Sequence, residues 1–409
     1  MKKCLAILSI IFLVSFISSA VLAGKVYYEE LKTYTDYQNE PLDINALDNI
    51  YIKSSVQVDV FPTAGKPYVE FTQTYIDLVG VTPKYDLRVE KKDKSTYIEL
   101  DQTEDVMISL GVKKDEAKLE VYLPQKQIDQ LNIENKNYIY MPSREQTINL
   151  QGIDIKQLVM DVFYSDISLD GKYEDVKVST HGGSLKMKSK EPALLSTEGS
   201  MEQDLTGQFE SITISGSGRY VNINSEKACD VKIRSYDSML TLKGSYSNID
   251  LSGDNNHIDL NSETPCKLVT DGENNITSGV GAFEIIDLNE ISSQIELKTT
   301  MIPKKLQLDK AVDSTDIRLT LPANIPGLNI RYDYSKNCDF YDNDYDSEDE
   351  EEKIASDLRS ITSDFELESY KSDKGEIGYS YGDKSIPIIL TRGRNISLEI
   401  IEGDYNSVK

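Results

Sequence analysis

Ser247-Asn248-Ile249-Asp250-Leu251-Ser252-Gly253 and, two residues on, Asn256-His257-Ile258-Asp259-Leu260-Asn261-Ser262 decide the fold. Each segment sets one polar residue between two aliphatic ones and brackets the triplet with turn formers. Alternation with a period of two over so few residues describes a half-buried strand, not a helix. The same text stands at Ser165-Asp166-Ile167-Ser168-Leu169-Asp170-Gly171 and at Gly183-Ser184-Leu185-Lys186-Met187-Lys188-Ser189.

Working outward from these segments, two interleaved series appear. One begins its triplets at Ile167, Leu185, Met201, Val221, Leu240, Ile258, Ile276 and Ile295, with steps of 18, 16, 20, 19, 18, 18 and 19. The other begins at Leu158, Val176, Leu194, Ile212, Val231, Ile249, Leu268 and Ile285, with steps of 18, 18, 18, 19, 18, 19 and 17. Two series sharing one period predict an all-β parallel solenoid, or β-helix, of about 18–19 residues and two strands per coil. A single coil cannot bury its aliphatic pairs, but stacked coils bury a continuous column. Gly, Ser, Asn and Asp supply the corners. An antiparallel sandwich also has short strands and frequent turns, but it does not require equal spacing through so many strands.

The solenoid makes the cysteines informative. Cys229 lies two residues before Val231 and Cys266 two before Leu268, the same coil position two coils apart. Stacked strands are about 4.8 Å apart, so their Cα atoms should be roughly 10 Å apart, beyond the ~7 Å reach of a disulfide. The two are expected not to be bonded to each other.

The regular coils are expected over residues 146–332, with β-rich caps at both ends. Residues 46–145 read as an N-terminal cap or wide coils, 24–45 as a loosely held arm, and 365–409 as C-terminal strands. Between them, 333–364 is an acidic insertion with a short helix suggested by Ile354, Leu358 and Ile361. A further repeat links the two ends. Lys118-Leu119-Glu120-Val121-Tyr122-Leu123-Pro124 precedes Leu131-Asn132-Ile133, and Asp316-Ile317-Arg318-Leu319-Thr320-Leu321-Pro322 precedes Leu328-Asn329-Ile330. Proline lacks an N–H and stops the ladder.

Residues 1–23 have the order of a secretory signal: Lys2 and Lys3, an apolar run from Leu5 to Ile17, then small residues up to Ala23, where cleavage is expected. An uncleaved anchor is the alternative, since Cys4 to Ala23 gives about 20 mostly apolar residues, near the minimum span. The 409-residue chain carries 44 Lys+Arg against 69 Asp+Glu, a formal charge of −25, with two His and no Trp. Such an acidic chain is a poor partner for nucleic-acid phosphates. Partners are therefore expected among cell-envelope polymers, surface glycans or proteins, and the location is secreted or at the envelope.

Sharper motifs fail in turn. Asp342, Asp344 and Asp346 occupy the first three ligand positions of an EF-hand loop, but Ser347 replaces the turn Gly and Lys353 the bidentate Glu. Residues 339–352 hold nine acids in fourteen, which otherwise reads as a solvated loop. Pectin-type hydrolases would show Asp-Asp, Gly-His-Gly and Arg-x-Lys. None is present: His181 sits in Thr180-His181-Gly182-Gly183, and Arg234 precedes Ser235 and Tyr236. Carboxylate pairs are too abundant to single out an acid and a base. Calcium-stacked rolls need Gly-Gly-x-Gly-x-Asp, which is absent; Asp254 comes nearest. His181 and His257 read as turn or strand-start residues. Tyr138, Tyr140, Tyr220 and Tyr236 could form a sugar-binding surface, although Tyr is also a good β-former. Asn275-Ile276-Thr277 and Asn395-Ile396-Ser397 match glycosylation acceptors, each containing an expected inward Ile. No catalytic, cofactor or metal residue is assigned.

The run Lys118–Pro124, the following Leu131-Asn132-Ile133 and the repeated Gly/Ser-x-Ile-x-Leu coils resemble the bacterial putative adhesin family. So do Gly375-Glu376-Ile377-Gly378, Ile386–Leu390 and Arg392-Gly393-Arg394-Asn395-Ile396-Ser397-Leu398-Glu399-Ile400. The resemblance spans roughly residues 45–400 and implies a secreted or membrane-tethered β-helical domain at the bacterial surface, without catalytic residues. The leading expectation is a non-enzymatic, exported, adhesin-like binding or structural solenoid. The alternatives are a carbohydrate-active β-helix enzyme and an envelope-stress accessory or spacer.

Overall fold

The structure is a computed structural model that describes residues 33–76, 84–104, 116–135, 146–217, 220–308, 315–332, 358–371, 377–390 and 396–403. Strands dominate, and the described residues contain no α-helix. The N-terminal strands are β1 (Thr33–Pro41), β2 (Asn49–Ser54), β3 (Gln57–Thr63), β4 (Tyr68–Ile76), β5 (Lys84–Lys92), β6 (Ser95–Glu104), β7 (Glu116–Pro124), β8 (Ile128–Asn135) and β9 (Gln146–Gln151). The regular stack continues with β10 (Ile155–Val162), β11 (Ser165–Gly171), β12 (Tyr173–Thr180), β13 (Gly183–Gly199), β14 (Glu202–Gly216), β15 (Tyr220–Ser235), β16 (Met239–Ser252), β17 (His257–Glu273), β18 (Ile276–Ile291) and β19 (Gln294–Thr299). The C-terminal strands are β20 (Lys305–Leu308), β21 (Asp316–Pro322), β22 (Gly327–Tyr332), β23 (Leu358–Ser363), β24 (Glu368–Lys371), β25 (Ile377–Gly382), β26 (Ile386–Leu390) and β27 (Ile396–Gly403).

Every pairing from β8 through β20 is parallel, so the expected solenoid is the fold. Two sheets face each other. The front sheet stacks β9, β11, the first halves of β13–β18, β19 and β21. The back sheet stacks β8, β10, β12, the second halves of β13–β18, and β20. The long strands round the corner between sheets through a shift in register, as between Ser225 and Cys229.

Four inward positions differ from the sequence expectation. The front column runs through Gln203 and Thr277, not Met201 and Ile276, and the back column through Leu195 and Ile286, not Leu194 and Ile285. At 194–195 and 285–286 two adjacent aliphatics make the alternation ambiguous, and parity is set by pairing with the neighbouring coils. At 203 and 277 a polar residue takes the inward slot; Gln203 Oε1 accepts from Thr197 Oγ1 at 3.2 Å. With these corrections every front step is 18 or 19 residues.

A two-coil period of about 37 residues lies over the single-coil one. Gly171-x-Tyr173, Gly207-x-Phe209, Gly244-x-Tyr246 and Gly281-x-Phe283 mark one kind of corner. Alternate coils have Ser or Thr and then a small residue four positions on: Ser189 and Ala193, Ser225 and Cys229, Ser262 and Cys266, Thr299 and Pro303. In these longer corners the hydroxyl donates to the carbonyl two residues ahead: Ser189 to Glu191 at 2.6 Å, Ser225 to Lys227 at 2.7 Å, Ser262 to Thr264 at 2.9 Å. Rings and small side chains therefore alternate up the column, with Ala193 facing Phe209, Cys229 facing Tyr246 and Cys266 facing Phe283. Tyr246 separates the two buried thiols, which are free.

The ends depart from chain order in the same way. β2 lies between β6 and β8, and β3 between β7 and β9, so the first coil of the chain is second in the stack. β26 lies between β20 and β22, and β27 between β21 and β23, so the last coil is one in from the end. The repeated Leu-Pro segments close β7 and β21, the two strands after which the chain steps over a layer. Antiparallel strands cover the ends: β4 on β7, β1 on β4, β5 on β6, β25 on β22 and β24 on β25. Such cover blunts exposed edges.

Two expectations change here. The arm at 24–45 contains β1, paired with β4 along its whole length; its exposed polar residues gave no periodicity because neither side of it is buried. Leu358 and Ile361, expected on a short helix, lie on β23 and pair with Ile396 and Leu398, because the edge of β27 needs a partner more than an isolated turn of helix gains. Ile354 lies outside the described residues, as do residues 1–32 with the signal segment, the acidic run 339–352 with Asp342, Asp344 and Asp346, and Cys338. No helix among the described residues is long and apolar enough to cross a membrane.

Candidate functional site

The corner that leads into the front sheet carries a buried polar ladder. Successive coils place Ser238, Asn256, Asn275, Ser293 and Thr315 there, and from Asn256 onward each side chain accepts the backbone N–H of its counterpart one coil back. Ser238 N donates to Asn256 Oδ1 at 3.1 Å, Asn256 N to Asn275 Oδ1 at 2.8 Å, Asn275 N to Ser293 Oγ at 3.0 Å and Ser293 N to Thr315 Oγ1 at 3.3 Å. Otherwise these buried donors would be orphaned at appreciable cost. Just before this ladder stand Asp237, Asn255, Asn274 and Ser292, with φ from 51° to 58°, the left-handed region that Asn and Asp tolerate best.

Because the ladder residue points inward, the next one must point outward. Tyr220, Met239, His257 and Ile276 thus form one outward row at the starts of β15–β18, in direct register. Tyr220 is 50% exposed, Met239 48% and Ile276 47%. The parallel outward rows hold Asn222, Thr241, Asp259 and Ser278, then Asn224, Lys243, Asn261 and Val280. Among the described residues, Asp259 and Lys243 are the only charged side chains in these three outward rows. The back sheet of the same coils is different: Lys232 pairs with Asp250 at 3.7 Å, while Asn248 donates to Asp230 and Asn289 to Asp271. The front face is a flat, nearly neutral strip on an acidic protein.

Glu290 lies beneath the same ladder, where neighbouring coils place Gly253 and Gly272. It is 1% exposed. Asn275 Nδ2 donates to its Oε2 at 2.8 Å and Ser293 Oγ at 3.0 Å. Burial raises its pKa above the ordinary carboxylate value, and these hydrogen bonds only partly oppose that. A raised acid favours the fold in its neutral form, so its stabilising contribution is full below the unfolded pKa and is lost as pH rises through the folded one. Glu290→Gln is therefore expected to raise the melting temperature near pH 7, on the order of a few degrees, and by less at pH 4.5. Melts followed by circular dichroism at both pH values check this; an equal difference at both would contradict it.

The other candidate residues have structural places. His181 stacks on Phe163, with ring centroids 4.8 Å apart and planes at 11°, and His257 stands at a strand start as expected. Asp254 Oδ1 accepts the N–H of Glu273 in the next coil at 3.0 Å. Asp250 and Asp259 point outward between buried aliphatics. Tyr236 is exposed, and its hydroxyl accepts from Arg234 at 3.3 Å. Tyr138, Tyr140 and Asn395 lie outside the described residues. Asn275 is 2% exposed and Ile276 points out, the reverse of what the acceptor motif was expected to contain; its amide is held inside the corner.

Aromatic clusters at the N-terminal end have little ring face to spare. Tyr68 stacks on Tyr122 at 4.3 Å, with Pro41 opposite Tyr68 on the next strand; Tyr51 stacks on Tyr97 at 4.8 Å, and the Lys92 ammonium lies over Tyr97. Burial pushes the Tyr122 phenol up to about 12. Buried Asp59 accepts the Thr147 N–H at 2.7 Å and pairs with Lys118 at 3.0 Å, fixing β9 where it meets β3 at a single residue pair. Among the described residues, the front row gathers three exposed large hydrophobics, Tyr220, Met239 and Ile276, at one register position of nearby coils. Sequence reasoning missed Met239 and Ile276 in it, although the recurrence of Ser238-Met239, Asn256-His257 and Asn275-Ile276 after each corner carried the signal.

No protein-family model matches the chain, and no curated protein matches it. Among solved structures, a putative cell adhesion protein from Clostridium sporogenes is similar at 10% identity, covering 90% of this chain and 100% of that one, with a TM-score of 0.17. A likeness of that size carries no argument about function.

Proposed function

We propose that the chain is a non-enzymatic, exported β-solenoid of the adhesin type that works by binding, at or outside the cell envelope, through the front face of its coils. The observation that carries this reading is the neutral strip around Tyr220, Met239, His257 and Ile276 on a chain of charge −25. Contiguous exposed apolar residues rimmed by polar ones mark interaction surfaces, whereas scattered ones do not. The corner ladder holds the strip rigid, so binding orders little and loses little entropy. The basic and apolar start of the sequence supports export.

Two measurements on the full chain test this. A C-terminally tagged protein is expected in the envelope or medium, and purified protein is expected to adhere to whole cells or isolated envelope. Recovery in the soluble cytoplasm, or turnover of a polysaccharide abolished by one carboxylate substitution, would refute the proposal.

A further inference from the structure

Resting on that binding reading, we infer that the row Tyr220–Met239–His257–Ile276 is a subsite for an uncharged, β-linked linear polysaccharide lying along the solenoid axis. Strands stack about 4.8 Å apart, and an extended β-linked pyranose chain advances by nearly the same step per sugar. Successive rungs therefore meet successive rings in phase. The four rungs span about 14 Å, enough for a short run of sugars.

The chemistry matches from both sides. A pyranose chain offers apolar C–H faces and a fringe of hydroxyls. The row offers Tyr220, Met239 and Ile276 at about half exposure. Beside it, Asn222, Thr241 and Ser278 bring amides and hydroxyls, which both donate and accept. Tyr and His present ring faces of the kind that pack on C–H groups, and no aromatic ring among the described residues stacks on Tyr220.

Other occupants fit less well. A second copy would bring two chains of charge −25 face to face. An anionic polymer meets the same repulsion. A peptide adding as a strand needs a free sheet edge, whereas β15–β18 are paired on both sides. A lipid surface would call for a broad apolar face, and this row is one residue wide.

Affinity electrophoresis of the full chain, in gels containing hydroxyethylcellulose, polygalacturonate or dextran, tests the inference. Retardation is expected with the neutral β-linked polymer and not with the acidic or the α-linked one. Tyr220→Ala and Ile276→Ser should each weaken it about tenfold, equivalent to ~1.4 kcal/mol, with unchanged melting. Val159→Ser, an exposed aliphatic on the back sheet, should leave it unchanged. Retardation by polygalacturonate alone, or equal retardation of wild type and Tyr220→Ala, would overturn the inference. Adherence to cells without retardation by hydroxyethylcellulose would overturn it while leaving the binding proposal standing. Shortening of the polymer during the run would overturn the binding proposal itself.

Discussion

Gly253→Ala is expected to leave the protein insoluble or to lower its urea midpoint sharply. An added Cβ would lie 1.8 Å from the Ser235 carbonyl oxygen of the preceding coil, at a φ of +118°. The backbone conformation alone costs about 1–3 kcal/mol for a residue with a side chain. The overlap adds to this, because neither party can retreat. Gly253 is itself the floor for Gly272, whose Cβ would meet the Gly253 oxygen at 2.0 Å. Gly199 on Thr180 and Gly216 on Gly199 repeat the contact at 1.9 and 2.0 Å. Moving one coil aside would therefore displace the next. Gly65→Ala is the control: the nearest atom there is the Thr63 hydroxyl at 3.5 Å, and a change within about 0.5 kcal/mol is expected. A wild-type midpoint for Gly253→Ala would mean that the corner is not packed as described.

Tyr246→Ala should cost about 3–5 kcal/mol, the usual loss for a large buried ring. The ring fills the column between Cys229 and Cys266, and its hydroxyl donates to Lys243 O at 2.7 Å and to Ile223 O at 3.1 Å. Tyr246→Phe keeps the volume and strands those carbonyls, for a smaller loss of about 1–3 kcal/mol. A second readout follows from the neighbours. Both thiols are 1% exposed and burial pushes their pKa up, so slow labelling is expected in the native protein. With the ring gone, Cys229 and Cys266 line a void and should react with a thiol reagent well before global unfolding. Equal labelling rates in wild type and Tyr246→Ala would contradict this packing.

The fold was legible because the solenoid repeats one decision many times, and a few ambiguous coils could not hide the period. Ile276 shows where that reasoning stops. An aliphatic beside a threonine looks inward by composition, yet the inward slot belongs to Thr277, because Asn275 must turn in to satisfy the corner ladder. Parity was decided by a hydrogen bond between coils, which alternation within one coil does not record. The same cause concealed the candidate site, since its outward row is defined only by that parity. The two-coil alternation was present in Gly171-x-Tyr173 and Gly207-x-Phe209 but was masked by the shorter period. The layer exchange at the ends was half visible: the two Leu-Pro segments marked the right strands, but a repeat in sequence does not say which layer a later strand will enter.

That exchange has a mechanical consequence. An ordinary stacked solenoid pulled by its tail peels from the end, one ladder at a time. Here the tail leads into β26 and β27, and each of these strands is gripped on both flanks. Tension on the C-terminal side must tear two ladders per strand before any coil is released. The resistance to pulling is thus concentrated in the first event, as in a latch and not a zipper.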